Sequence, residues 1–213
     1  MSILFHENTQ TFHLTNGQIS YLMKVLPDGS LGQLYFGRAI RDRESFDHLL
    51  EMKHRPMSSW VFEGNKLFSL EHTRQEYPSY GSTDYRHPAV QILQPDGSRI
   101  TDFVVQSHSV TPGKPALEGL PATYCESGSE AETLTVHLRD ELLGVSLDLN
   151  YTLFADRPAL ARSARLVNEG GLDLHLTHAM SLCLDLPDRD YEFVHFSGAW
   201  SRERWIKVRR LEQ

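Results

Sequence analysis

The chain alternates. Ile19, Tyr21, Met23 and Val25 interleave with Gln18, Ser20, Leu22 and Lys24, the period of two that sends successive side chains to opposite faces of a strand. Pro27-Asp28-Gly29-Ser30 follows, and then Leu31 to Phe36. Proline presets one turn torsion, aspartate bonds its own backbone and glycine takes positive φ without steric cost, so the pattern predicts a β-hairpin. Val90 and Ile92 lead into Pro95-Asp96-Gly97-Ser98, with Ile100 and Phe103 to Val105 beyond it. The shared turn chemistry predicts a second hairpin there.

The second half is more regular. Leu134, Val136 and Leu138 alternate with Thr133, Thr135 and His137, and Asp140-Glu141 breaks the run. Val145, Leu147, Leu149, Tyr151 and Leu153 alternate with Ser146, Asp148, Asn150 and Thr152. Ala161 to Val167 comes next, then a turn at Asn168-Glu169-Gly170-Gly171, then Leu172, Leu174 and Leu176 against Asp173, His175 and Thr177. One apolar and one polar face per strand, with short turns between, predicts an all-β fold of antiparallel sheets packed as a sandwich. Only Glu44 to His54, with Phe46, Leu49 and Leu50 near one face, reads as helical, for one turn or two. It lies inside a long excursion from Arg38 to Lys66, and loops of that length are often functional.

Composition adds bounds. The 213 residues suit one large β-sandwich. The net charge of -7 disfavours nucleic acid, and neutral substrates are compatible with it. Cys125 and Cys183 do not make a disulfide framework or a metal spacing and read as free thiols. The N-terminus lacks a basic region followed by an apolar run, and no stretch approaches the ~18 apolar residues of a membrane span. The expectation is a cytoplasmic protein without membrane contact.

Candidate chemistry is sparse. Eleven histidines invite a metal, but His175 and His178 stand three apart on a strand and face opposite sides unless a bulge intervenes. No metal site or cofactor is predicted. Glu130, Glu132, Asp140 and Glu141 read as solvated edges rather than the framed carboxylate pair of a glycosidase. Ser107-His108-Ser109 is an isolated triplet on a strand. The segment from Glu76 to Pro88 holds three tyrosines, two prolines and the pair Asp84 and Arg86. It reads either as a rigid loop that satisfies buried polar groups or as a sugar or subunit contact. Ser197 to Gln213 carries two of the three tryptophans and many arginines. It reads as the middle of a structured region, which a natural chain continuing past Gln213 would explain.

Several blocks together carry a resemblance. Gln75-Glu76-Tyr77-Pro78-Ser79-Tyr80-Gly81 with Thr83-Asp84-Tyr85-Arg86-His87-Pro88, Gly119-Leu120-Pro121-Ala122-Thr123-Tyr124, Glu130-Ala131-Glu132-Thr133-Leu134, and Gly198-Ala199-Trp200-Ser201-Arg202-Glu203-Arg204 stand in order. Tyr35-Phe36-Gly37 and Arg41-Asp42 fit as well. Over nearly its whole length the chain resembles the N-terminal domain of bacterial α-galactosidases of glycoside hydrolase family 36. The resemblance implies a large antiparallel β-supersandwich over 1–213, preceding a (β/α)8 barrel that is absent here. That barrel carries two catalytic aspartates of a retaining mechanism on terminal α-galactosides such as melibiose and raffinose. No residue of this chain matches those motifs, so no catalytic residue is assigned and the chain alone is expected to be inactive.

The resemblance further implies a homo-tetramer in which an N-terminal loop reaches a neighbour's sugar pocket. Trp60, the one tryptophan of the Arg38–Lys66 excursion, is the candidate to stack on galactose, with Lys66 as a basic contact. Trp60 also reads as an anchor of its own loop. Two other functions stay open: a free-standing galactoside-binding module, and a sugar mutarotase, whose chemistry needs a histidine and a carboxylate converging on the sugar ring.

Overall fold

The computed structural model describes residues 1–119 and 122–212. Leu120 and Pro121, inside one of the blocks that carry the resemblance, lie outside the described residues, as does Gln213. The architecture is an all-β antiparallel sandwich. Two four-stranded sheets form its body. The first is the meander β1 (Ser2–His6), β2 (Thr11–Thr15), β3 (Ile19–Val25) and β4 (Leu31–Arg38). A short pair follows between β5 (Val90–Leu93) and β10 (His175–Ala179). The second sheet is the meander β6 (Val104–Pro112), β7 (Ala131–Asp140), β8 (Val145–Phe154) and β9 (Leu160–Asn168). An antiparallel ribbon of β11 (Glu192–Ala199) and β12 (Arg202–Arg210) ends the fold.

The predicted alternation sets the interface between the sheets. Phe12, Leu14, Tyr21 and Met23 of the first sheet share one buried cluster with Leu134, Val136, Leu147, Leu149, Tyr151 and Leu153 of the second. Fully burying each such side chain contributes about 1.5–3 kcal/mol. The second sheet behaves as read: His137, Asp148 and Asn150 lie outward between buried neighbours. The first sheet departs from the single-face pattern. Leu22 and Leu34, on its other face, are buried with Phe46 from the long loop, so that loop covers the sheet as a lid covers a box.

Two local expectations are corrected. The first hairpin forms as β3–β4, but the second does not. Its turn closes, yet β5 pairs with β10 and β6 pairs with β7. Leu172 and Leu174 likewise precede a strand that leaves β9 rather than returning along it, because β5 offers β10 an edge. Glu44 to His54 holds a single 3-10 turn at Asp47–Leu49, within the one turn or two expected there. The backbone there is pulled away from helix by contacts to the sheet, described below. The C-terminal segment is structured, as read, but Phe193, Val194, Phe196, Trp205, Ile206 and Val208 of its ribbon are all exposed.

Between the sheets sits a buried charge. Glu76 has no exposed surface. Its carboxylate accepts hydrogen bonds from the Tyr21 hydroxyl at 2.6 Å and the Tyr151 hydroxyl at 2.8 Å, one tyrosine from each sheet. The Arg162 guanidinium of β9 pairs with it at 2.8 Å and also donates to the backbone oxygens of Glu76 and Cys183. Burial pushes the Glu76 carboxyl up, while Arg162 and the two phenolic donors favour its charged form. Burial and the neighbouring Glu76 charge push both tyrosine hydroxyls up, so they remain donors. Removing one member of such a buried pair costs about 3–5 kcal/mol.

Candidate functional site

The long loop is pinned at its root by polar contacts to the first sheet. The Ala39 amide donates to the Gln18 carbonyl at 2.9 Å, and the Ile40 amide to Ser20 Oγ at 3.0 Å. Asp42 Oδ1 is bonded to His13 Nδ1 at 2.7 Å and His6 Nε2 at 3.0 Å. Burial pushes the Asp42 carboxyl up, but the hydrogen bonds and charges of the two histidines together hold it below its ordinary value. Glu44 receives Asn8 Nδ2 at 3.2 Å, and its carbonyl receives Thr9 Oγ1 at 3.0 Å. Phe46 packs edge-on to His13 and is 2% exposed, and Lys24 pairs with Asp47. These side chains compete with helical hydrogen bonding, which explains the single turn.

Beyond Leu50 the loop rests on a small apolar cluster of Leu26, Phe68 and Leu70, with Leu50 and Val61 against it. The Phe62 ring stacks on Phe68 at 6.1 Å. Here the structure brings together the two residues singled out from the sequence. Lys66 Nζ lies over the Trp60 ring, 5.6 Å from its centroid, and the indole remains 40% exposed. Such a cation–π contact is worth about 0.5–1 kcal/mol at an exposed site. The pair offers an apolar plane beside an ammonium donor, which suits a sugar ring: C–H groups against the indole and hydroxyls toward the charge.

The Glu76–Pro88 segment divides between its two readings. Asp84 is 2% exposed and accepts from Arg86 Nε and Nη2 and from Gln75 Nε2. Arg86 Nη2 also donates to the carbonyls of Leu70 and Thr73, and the Tyr77 hydroxyl to Met180. These groups are spent on the fold. Tyr85 is 63% exposed and meets Tyr80 edge-on at 5.3 Å, leaving that end available for contact.

The histidines divide similarly. A bulge between Leu176 and His178 does interrupt β10, and His178 packs on His87 at 4.8 Å rather than beside His175. Among the described residues no group of three or more His, Cys, Asp or Glu side chains could hold a metal ion. Cys125 and Cys183 are free and half-buried, and burial pushes the Cys183 thiol up.

Two constellations escaped the sequence reading. Ser20, His13 and Asp42 form a chain of 2.9 and 2.7 Å, and Ser109, His137 and Asp148 one of 3.3 and 2.7 Å. Both have the connectivity of nucleophile, base and orienting carboxylate. In the first, Ser20 and His13 are fully buried and Ser20 Oγ already receives the Ile40 amide. The second spans β6, β7 and β8 on the outward face, where neighbouring backbone N–H groups belong to the ladder rather than to an oxyanion site. His108, inside the predicted triplet, instead packs on Phe5 and Phe12.

Comparison with known proteins settles the family. Residues 29–213 match the model of the glycosyl hydrolase family 36 N-terminal domain. The chain belongs to this family. It is 42% identical over 99% of its length to α-galactosidase AgaA of Geobacillus stearothermophilus, of which it covers 29%. The crystal structure of the family 36 α-galactosidase AgaB from the same organism superposes over 100% of this chain and 29% of its own, with a TM-score of 0.90 at 40% identity. The α-galactosidase of Lactobacillus brevis superposes with a TM-score of 0.93 at 35% identity, over 99% of this chain and 28% of its own. The chain thus spans about three-tenths of the length of the family 36 relatives it matches.

Proposed function

We propose that the whole protein is an α-galactosidase that hydrolyses terminal α-galactosides such as melibiose and raffinose by a retaining mechanism, and that this domain supports it without doing the chemistry. Family membership supports the reading, as do relatives bearing that name, one of which is solved with raffinose and with stachyose. A retaining glycosidase needs two carboxyl groups roughly 5–5.5 Å apart across a sugar. The buried carboxylates here are spent on the fold: Glu76 and Asp84 are bonded to its tyrosines and arginines, and Asp140, buried rather than solvated, accepts the backbone amides of Asp102 and Leu143. On this reading the nucleophile and acid/base belong to a barrel outside these 213 residues. The purified chain is expected to show no turnover of an aryl α-galactoside, and a rate comparable to a full-length relative would overturn the assignment.

The domain's own contribution is the Trp60–Lys66 pair, presented to the sugar pocket of a neighbouring subunit in a cytoplasmic homo-tetramer. The exposed stacking of Lys66 on Trp60 at the tip of a loop whose root is pinned carries this reading. In the whole enzyme, Trp60→Ala should raise KM for raffinose about two- to tenfold, the worth of one aromatic contact of ~0.5–1.5 kcal/mol. Unchanged kinetics with an intact tetramer would leave Trp60 as an anchor of its own loop. Galactose affinity of the isolated chain would favour a binding module instead.

A further inference from the structure

A cleft opens at the root of the long loop. It encloses about 350 Å3 and is lined by His48, Leu49, Leu50 and Glu51 on the outgoing leg of the loop and His72, Thr73 and Arg74 on the returning leg. Gln33 of β4 also lines it. Three features of this lining are unspent.

Gln33 is 2% exposed, and its Oε1 accepts the Asp185 amide at 2.9 Å. That bond fixes the orientation of the side-chain amide and leaves Nε2, a buried donor, without an acceptor. A buried unsatisfied donor costs about 1–3 kcal/mol. Both ring nitrogens of His72 are buried and unpartnered as well. Arg74 is the third. Its Nη2 donates to the carbonyls of Leu34 at 3.1 Å and Leu49 at 3.0 Å, which hold the guanidinium in place. Yet Arg74 forms no ion pair among the described residues. Glu51, the carboxylate of the lining, is engaged by Arg55.

A held, half-buried cation without a counter-charge, beside a buried amide donor and an imidazole, has the wrong balance for a site that merely completes the fold. Donors outnumber acceptors there, and the one carboxylate of the lining, Glu51, is already paired with Arg55. We propose that this cleft is a binding site for a small oxyanion, a phosphate or a carboxylate, taken by Arg74, Gln33 Nε2 and His72. Oxygens of such a ligand accept from the fork of an arginine and from an amide at once. Bound there, it ties the returning leg of the loop that carries Trp60 to β4. The site is separate from the Trp60–Lys66 pair, and its test does not depend on α-galactosidase activity.

The test titrates the 213-residue chain with inorganic phosphate, and separately with acetate, against sodium chloride at matched ionic strength. Thermal unfolding and the imidazole NMR resonances of His72 and His48 are the readouts. A ligand that binds only the folded chain raises Tm saturably. Phosphate or acetate should therefore raise Tm beyond chloride and shift the His72 resonance along a saturable curve. His72→Phe, which keeps the ring and removes its nitrogens, should weaken binding about tenfold, the worth of one hydrogen bond to a charged group. Gln33→Leu should do the same; because it also removes the acceptor for the Asp185 amide, the His72 variant decides if the Gln33 variant fails to fold. A response equal to chloride for both anions, or an affinity unchanged in His72→Phe, overturns the proposal. Saturable binding of galactose but of neither anion also overturns it, since the ligand would then be a neutral polyol.

Discussion

Pro27-Asp28-Gly29-Ser30 and Pro95-Asp96-Gly97-Ser98 are the same tetrapeptide, and they fold into the same turn. Leu26 and Gln94 each donate to the carbonyl of the following serine, at 2.8 and 2.9 Å, and each accepts the glycine amide at 2.9 Å. The glycines sit at φ +87° and +88°, in the left-handed region. The surroundings differ. Gly29 lies against β6: a Cβ there would come 2.6 Å from Val104 Cγ1, and the Val105 amide donates to the Gly29 carbonyl at 2.9 Å. Gly97 has nothing within 4 Å of that position. The first turn closes a hairpin and docks on the second sheet. The second closes no hairpin, and its flanking strands leave for other partners. Turn geometry is thus a local property of the four residues, whereas pairing of the flanking strands is decided by what else offers an edge.

The comparison can be broken by substitution. Gly29→Ala is expected to have the largest effect, roughly 2–4 kcal/mol by urea unfolding, from left-handed strain plus the clash with Val104. Val104→Ala in that background should recover part of the loss, with a coupling energy of about 0.5–3 kcal/mol. Strict additivity would mean that Val104 does not crowd the turn. Gly97→Ala should cost about 1–2 kcal/mol, the strain alone; a loss as large as at Gly29 would erase the distinction drawn above.

Asp28→Asn is the subtlest case and concerns pH. Burial pushes the Asp28 carboxyl up against the hydrogen bonds from Ser30. A carboxyl raised on folding favours the folded chain below its unfolded value, near ~3.9, and that contribution is lost as pH rises through the folded value. Asparagine cannot ionise and keeps an oxygen for Ser30. Asp28→Asn should therefore raise Tm at pH 7 and not at pH 3. A Tm gain at pH 3 as large as at pH 7 would argue against the burial of that charge.

Much of this fold is legible in the sequence. The alternation of Leu134, Val136, Leu147 and Leu149 marks β7 and β8 and their buried face. Turn residues mark where strands end. Phe46 was legible as apolar but not as the cover of Leu22 and Leu34. Glu76 read as part of an unusual polar stretch. Nothing local showed that two tyrosines and an arginine from distant strands would converge on it. Of the candidate site, Trp60 and Lys66 stood out by type and place, and their stacking required coordinates. Gln33 carried no signal at all: a single glutamine in a strand becomes notable only when one end of its amide is bonded and the other is not.

The sequence by itself determined the β3–β4 hairpin, the strands β7 to β9 with the apolar faces of β7 and β8, the turns and, through its blocks, the family. Those are properties of short windows, since a period of two or a Pro-Asp-Gly turn needs only its neighbours. Only the tertiary structure decided that β5 pairs with β10, that the first sheet is covered on both faces, that Glu76 lies buried between the sheets, and that Arg74 is held beside unspent donors. Periodicity records which face seeks cover but not what covers it. Hydrogen-bond satisfaction is a sum over groups far apart in the chain, so it exists only once the sheets have packed.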